Sequence, residues 1–196
     1  MTARLAHIFR HPVKSVGGEA LDEVRLTEGQ PLPGDRRFAV LHEAAIQHLD
    51  GDELRRWLPK SAFLRGVASA PLQAISGGWD GDHLVLSHPD LPPLRFDPTR
   101  DQATLLDWLA PLWDPSGKAP AARLVEAPQA LTDVNHPWLS VLSLSSLRDL
   151  EDRLGQPLGT HRWRANLWID GWEPFAEHDL RLHTLRIGEV VVKLTE

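Results

Sequence analysis

The 196-residue sequence contains no cysteine. Disulfides, zinc ribbons, iron–sulfur clusters and thiolate nucleophiles built from this chain are therefore excluded. It also lacks an N-terminal apolar segment and any apolar run of 18 or more residues, so neither a secretory signal nor a membrane span is predicted. We expect a cytoplasmic protein without a membrane partner.

An excess of positive charge is missing as well. The chain has 21 Lys and Arg against 27 Asp and Glu, a formal net charge of -6. A chain with this charge balance has no general attraction for DNA or RNA, so no nucleic-acid partner is expected. A local basic pocket is still compatible with it. The apolar share of 42%, with 14 Gly besides, indicates a chain that buries a core of its own.

The common catalytic and metal-binding motifs are absent too. The ten histidines form no His-x-x-x-His pair followed by glutamate and no cluster with ligand spacing, so scattered structural histidines are the better interpretation. The sequence has no Gly-x-Ser-x-Gly elbow, no Gly-x-Gly-x-x-Gly fingerprint and no Walker loop. No catalytic residue and no metal ligand is assigned.

What is present is a series of short strands separated by turn residues. Strands are predicted at residues 3–9, 21–26, 38–41, 72–75, 83–87 and 94–96, whereas residues 44–57 have no clear pattern. Turns are predicted at Gly17-Gly18, at residues 31–35, at Gly77-Gly78 and at residues 80–82. Strands spaced by roughly ten residues favour an antiparallel barrel or sandwich over alternating βαβ units.

Helical patterns come later in the chain. Helices are predicted at residues 104–113 and 145–154, the second capped by Ser145 or Ser143 and closed by Gly155. Residues 115–122 are the best candidate for a linker, and strands return at residues 166–169 and 186–194, with a turn at Gly188. The predicted class is β-rich α+β.

Three basic clusters lie next to predicted turns at strand ends. They are Lys14-Ser15, Asp35-Arg36-Arg37 and the segment Arg162 to Asn166. Together they could form a site for a phosphate-bearing ligand, with bidentate arginine contacts as anchors. Taken singly, each is better explained by a solvated arginine or a structural Arg–Asp pair.

The order of several short motifs adds a more specific signal. The stretch from Phe9 to Leu21, with its Pro-Val-Lys-Ser piece, and Leu32 to Phe38, with Gly-Asp-Arg-Arg, resemble the opening of the MOSC N-terminal β-barrel. The segments 144–151, 163–167, 174–179 and 185–189 resemble the MOSC domain proper. The resemblance implies an N-terminal barrel module at 1–118 packed on a MOSC barrel domain at 119–196, incomplete at its C-terminus.

The MOSC (molybdenum cofactor sulfurase C-terminal) family binds a pterin molybdenum cofactor, molybdopterin, which carries a phosphate. Relatives include the mitochondrial amidoxime-reducing component and bacterial reductases of N-hydroxylated bases. By resemblance, the cofactor-binding residues are Lys14, Ser15, Arg36, Ser140, Arg164 and Asn166. A separate electron-transfer protein is a further partner that the resemblance implies.

The missing cysteine is a departure from the family. Redox-active members supply a thiolate to molybdenum shortly after the strand that corresponds to residues 189–194, whereas this sequence ends at Thr195-Glu196. We expect a truncated or partly represented protein rather than a naturally short member, because Val190 to Val192 would otherwise form an exposed edge strand.

Three functions stay open on this evidence. The first is the greater part of a molybdenum-cofactor oxidoreductase acting on N-hydroxylated or related small substrates. The second is a non-catalytic module that carries or senses the cofactor or another phosphate-bearing ligand, pyridoxal phosphate among them. The third is a structural or interaction domain whose arginines pair with the acidic excess.

Overall fold

The computed structural model describes residues 3–195. Within this range the chain is rich in β-strands and has two α-helices, which confirms the β-rich α+β class. The elements in chain order are β1 (Arg4–Arg10), β2 (Glu19–Leu21), β3 (Phe38–His42), β4 (Ser76–Asp80), β5 (His83–His88), β6 (Leu91–Phe96), α1 (Gln102–Trp113), β7 (Ala121–Glu126), β8 (Val141–Ser143), α2 (Leu144–Leu154), β9 (Leu167–Asp170), β10 (Thr184–Ile187) and β11 (Val190–Lys193).

The strands form several small sheets. Their orders are β2-β1-β9-β8, β4-β5-β6, β3-β7 and β10-β11. The pairs β1-β9, β3-β7, β4-β5, β5-β6 and β10-β11 are antiparallel, whereas β8 and β9 run parallel. Over residues 3–195, no sheet closes into a ring of strands. Along the same residues, no helix combines the length and apolarity needed to cross a bilayer.

The chain divides into two compact units. We call residues 10–20 and 24–138 the central unit, and the described residues of 1–9, 21–23 and 139–196 the terminal unit. The division agrees with the packing, since two hydrophobic clusters lie in the central unit and a third lies in the terminal unit. The predicted division at residue 118 concerns family modules and stays a prediction.

The central unit is held together by two hydrophobic clusters on the faces of β3. Phe38 and Val40 pack into a cluster with residues of β5, β6 and α1, whereas Ala39 and Leu41 pack into a second one with Phe63. Since side chains alternate across a strand, a fully apolar β3 is buried on both faces. β3 pairs with β7 in the register Val40↔Leu124.

The terminal unit is built around β9 and α2. Trp168 is almost completely buried and packs with Leu144 and Leu147 of α2. The helix begins as predicted, because the Ser143 hydroxyl accepts a hydrogen bond from the Ser146 N–H at 3.3 Å. It ends at Gly155, which adopts the left-handed conformation that glycine tolerates best.

Several predicted elements are confirmed with small shifts of boundary. They are the strands at 3–9, 38–41, 83–87, 94–96 and 166–169, the helices at 104–113 and 145–154, and the hairpin around Gly188.

Other predictions are wrong. The strand predicted at 21–26 is reduced to Glu19–Leu21, because Val24 and Leu26 are only half-buried and gain little from extending it. Residues 72–75 lie in a 3-10 helix at Ala70–Ala74 followed by Ile75, since Pro71 in its first turn has no N–H for a strand ladder. Residues 121 and 122 of the predicted linker begin β7.

The Gly77-Gly78 turn is also wrong, because both glycines lie inside β4. Gly77 has a φ of +107°, and a Cβ there would lie 2.1 Å from the carbonyl oxygen of Val85. A Cβ on Gly78 would lie 2.4 Å from the carboxyl carbon of Glu19. These glycines therefore permit close approach within a strand rather than a change of direction.

Candidate functional site

The predicted ligand Lys14 lies in a tight turn at the edge of β3. The Val16 N–H donates to the Val13 carbonyl at 3.2 Å, and Ser15 between them has a φ of +63°. The Lys14 N–H donates to the Phe38 carbonyl at 2.8 Å. The backbone of Lys14 is thus held by Phe38, the first residue of β3, and the Lys14 side chain is buried.

Arg36 occupies a second turn next to the first. Its N–H donates to the His11 carbonyl at 2.7 Å, and its own φ is +49°. The guanidinium pairs with Asp35, whose buried carboxylate also accepts the His11 N–H at 2.8 Å. Because His11 lies just before the Lys14 turn, these hydrogen bonds tie the two predicted ligand segments together.

A carboxylate that the sequence analysis missed lies on Lys14. The Lys14 ammonium donates to Asp133 Oδ1 and to the Leu131 carbonyl oxygen, both at 2.8 Å. Lys60 donates to the other carboxylate oxygen, Oδ2, at 3.2 Å. Two of the chain's four lysines therefore share one carboxylate.

These contacts change the acidity of Asp133. Partial burial acts to raise the pKa of the carboxyl, but the hydrogen bonds and charges of Lys14 and then Lys60 outweigh it and lower the pKa below its usual 3.8. No motif marked Asp133 or Lys60, since each is distant from Lys14 in sequence and only the fold brings them together.

The remaining predicted ligands lie in the terminal unit. Arg164 follows a 3-10 turn at His161–Trp163 and has a φ of +54°. Asn166 is buried, and its side-chain oxygen accepts the N–H of the exposed Ser140 at 3.2 Å. The loop before this turn is fixed by Glu151, whose Oε1 accepts the Leu158 N–H at 2.7 Å and the Gly159 N–H at 3.1 Å.

The predicted ligands thus form two groups. Lys14, Ser15 and Arg36 come together in the central unit, and Ser140 and Asn166 come together beside Arg164 in the terminal unit. The convergence of both groups on one ligand stays a prediction.

Members of both groups share a strained backbone conformation. Among residues 3–195, five non-glycine residues have a positive φ, and Ser15, Arg36 and Arg164 are three of them. The left-handed conformation costs a residue with a Cβ about 1–2 kcal/mol. Such strain persists where the surrounding structure enforces it, and it is concentrated at functional sites.

An open cleft borders the same region of the central unit. It has a volume of about 650 Å³ and is lined by Arg10, Gly34, Arg37 and Trp79, among others. Arg37, the neighbour of Arg36, faces this cleft, where it lies over the Phe38 ring and pairs with Glu126 at 2.7 Å. Adjacent arginines of one predicted cluster therefore have different surroundings.

Comparison with protein families decides the relationship. The family model described as the MOSC N-terminal beta barrel domain matches residues 2–120, more than half of the chain. The chain belongs to the MOSC family. The match covers both the Lys14 turn and the Arg36 turn. Among curated proteins, none matches the sequence.

The Lys14 turn and the Arg36 turn bring together an ammonium, a guanidinium and a hydroxyl, which are groups that bind anionic oxygens. In this structure the ammonium pairs with Asp133 and the guanidinium with Asp35. The same residues contain no soft metal ligand, since the 196 residues include no cysteine. They therefore fit the phosphate of a pterin cofactor and offer no sulfur to its metal.

Proposed function

We propose that this MOSC protein binds the molybdenum cofactor through the phosphate and pterin of molybdopterin. By family resemblance, the binding residues are Lys14, Ser15, Arg36, Ser140, Arg164 and Asn166. One observation carries the proposal: Ser15, Arg36 and Arg164, assigned by family resemblance, are three of the five non-glycine residues with positive φ among residues 3–195. Residues held in this conformation are concentrated at functional sites, which supports the assignment.

Each group has a distinct task in this proposal. The Lys14 ammonium supplies positive charge from a buried position, where its attraction for an anion is screened less than at the surface. Arg36 and Arg164 supply planar forks that match phosphate oxygens. The Asn166 amide holds the Ser140 N–H in place.

The proposal extends to the architecture and to the reaction. Residues 1–118 correspond to a barrel-like MOSC N-terminal module, and residues 119–196 belong to the MOSC domain. The chain functions in an oxidoreductase for N-hydroxylated or related small substrates, to which a separate electron-transfer protein supplies electrons. The bound cofactor supplies the redox chemistry, while the residues named here bind and orient it.

A second candidate is a non-catalytic carrier of the cofactor or of another phosphate-bearing ligand. The absence of cysteine from the 196 residues favours it. The two candidates differ in turnover. The 196-residue chain, loaded with cofactor and given an electron donor, is expected to reduce no amidoxime, because it contains no cysteine to bind molybdenum. Measurable reduction of an amidoxime would contradict the second candidate.

The test of binding uses the chain purified from a host that makes the cofactor. Pterin is measured by fluorescence after oxidation. We expect pterin to accompany the wild-type protein and to be lost from Arg164→Ala, whereas the neighbouring exposed Arg162→Ala retains it. Equal pterin in the wild type and both variants, or none in any of them, would overturn the proposal.

A further inference from the structure

The carboxylate of Asp133 covers the ammonium of Lys14. The Lys14 side chain is 6% exposed, whereas that of Asp133 is 63% exposed, although their charged atoms are 2.8 Å apart. The carboxylate therefore lies on the solvent side of the ammonium. An anion that reaches Lys14 from this direction meets Asp133 first.

Two ammonium groups share the carboxylate of Asp133. Lys14 and Lys60 each donate to a different oxygen of this carboxylate, at 2.8 and 3.2 Å. A phosphate dianion has the same kind of acceptor oxygens and one negative charge more than a carboxylate, so it attracts both ammonium groups more strongly.

The backbone beside Asp133 is anchored independently of its side chain. The Leu131 N–H donates to the Arg36 carbonyl at 3.0 Å, and the Leu131 carbonyl accepts from Lys14 at 2.8 Å. The carbonyl of Thr132 accepts the indole N–H of Trp57 at 3.3 Å. Leu131 and Thr132 are buried, so rotation of the exposed Asp133 side chain leaves these contacts in place.

We propose that Asp133 is an internal anion that occupies a two-lysine phosphate site, and that a phosphate-bearing ligand binds there by displacing its carboxylate. The inference rests on the proposed function in that the phosphate is taken to be the cofactor's, and it adds Lys60 as a binding residue. Asp133 then makes the site selective for dianions over monoanions. A monoanion is attracted to the two lysines no more strongly than the carboxylate that is already in place, so it does not displace Asp133.

The first test measures affinity for inorganic phosphate by titration calorimetry of the whole chain. Asp133→Asn is expected to bind phosphate about five to ten times more tightly than the wild type, and Lys60→Gln several times more weakly. Asp107→Asn removes an equal charge at an exposed position of α1 and is expected to bind as the wild type does. Unchanged or weaker binding by Asp133→Asn would overturn the proposal.

A second measurement needs no variant at this position. The carbon-13 signal of the Asp133 carboxyl group in the wild-type protein is expected to shift as phosphate is added, with the same midpoint as the calorimetric titration. Acetate at equal concentration is expected to leave the signal unchanged. A signal that does not respond to saturating phosphate would contradict displacement, whatever the stability of the variants.

The two proposals fail in different ways. If Asp133→Asn does not strengthen phosphate binding but Arg164→Ala still loses pterin, the displacement is wrong and cofactor binding stands. If phosphate binding follows Asp133 and Lys60 as expected but no pterin accompanies the wild-type protein, the site takes free phosphate and cofactor binding is wrong. If Arg37→Ala abolishes phosphate binding and Lys60→Gln does not change it, phosphate binds in the neighbouring cleft and the displacement is again wrong.

Discussion

Phe9 and Asn166 are joined by two hydrogen bonds of opposite direction. The Phe9 N–H donates to the Asn166 backbone carbonyl at 2.7 Å, and the Asn166 side-chain Nδ2 donates to the Phe9 carbonyl at 3.2 Å. The side-chain oxygen of Asn166 accepts from the Ser140 N–H. One buried amide thus links β1, the start of β9 and the residue before β8, two positions after the strained Arg164.

Asn166→Ala is expected to lower the free energy of unfolding by about 2–3 kcal/mol, because it leaves the Phe9 carbonyl and the Ser140 N–H without this partner. Urea denaturation measures the change. Asn135→Ala, at an exposed position, serves as the control and is expected to stay within about 0.5 kcal/mol of the wild type. Equal effects of the two variants would contradict a structural role for the Asn166 amide.

Gly78→Ala is expected to destabilise the central unit. Glu19 accepts hydrogen bonds from the Arg10 guanidinium at 2.6 Å and from the Trp79 N–H at 2.9 Å, and a Cβ on Gly78 would displace its carboxylate. A loss of about 1–3 kcal/mol follows for groups left unpaired in a half-buried position. Ser76→Ala, on an exposed position of the same strand, is the control in thermal unfolding. A Gly78→Ala protein as stable as Ser76→Ala would show that the clash is relieved without cost.

A pair of substitutions at Ser15 separates strain from binding. Ser15→Gly relieves the positive φ and is expected to be more stable than Ser15→Ala by about 0.5–1 kcal/mol, measured by urea denaturation. Both variants lack the hydroxyl and are expected to weaken phosphate binding to the same extent. Retained wild-type affinity in either variant would remove Ser15 from the site.

The lysine contacts of Asp133 predict a pH dependence. A pKa lowered by folding gives stability that is present above the ordinary carboxyl pKa and is lost as the pH falls through the folded-state pKa. Asp133→Asn is therefore expected to be less stable than the wild type near neutral pH, with the difference shrinking below about pH 4. The measurement is urea denaturation from pH 7 to pH 2.5, with Asp107→Asn as control. A difference that is constant over this range would contradict the assignment.

Local patterns predicted those elements whose causes are local. Ser143 and Gly155 mark the ends of α2 in the sequence as they do in the structure, and the apolar run Phe38 to Leu41 predicts a strand buried on both faces. Local patterns failed where a residue distant in sequence determines the local conformation. Gly77-Gly78 is typical of a turn until Glu19 and Val85 are known to approach it.

The candidate site likewise has residues that local motifs predict and contacts that only the tertiary fold reveals. Motif order singled out Lys14, Ser15, Arg36 and Arg164, and it had no means of showing that three of them have a positive φ. Asp133 lies 119 positions from Lys14, and no pattern of residue types joins them. Pairings of that separation depend on the tertiary fold, and an acidic residue in a loop is otherwise expected to be solvated.

The most direct test of cofactor binding is the molybdenum and pterin content of the purified chain, compared with Arg164→Ala and Arg164→Lys. We expect both contents to fall in Arg164→Ala by the equivalent of about 1.5–3 kcal/mol in binding free energy. Arg164→Lys is expected to recover only part, because an ammonium cannot replace a bidentate fork. Molybdenum and pterin present in equal amounts in all three proteins, or absent from the wild type, would contradict the assignment of this site to the molybdenum cofactor.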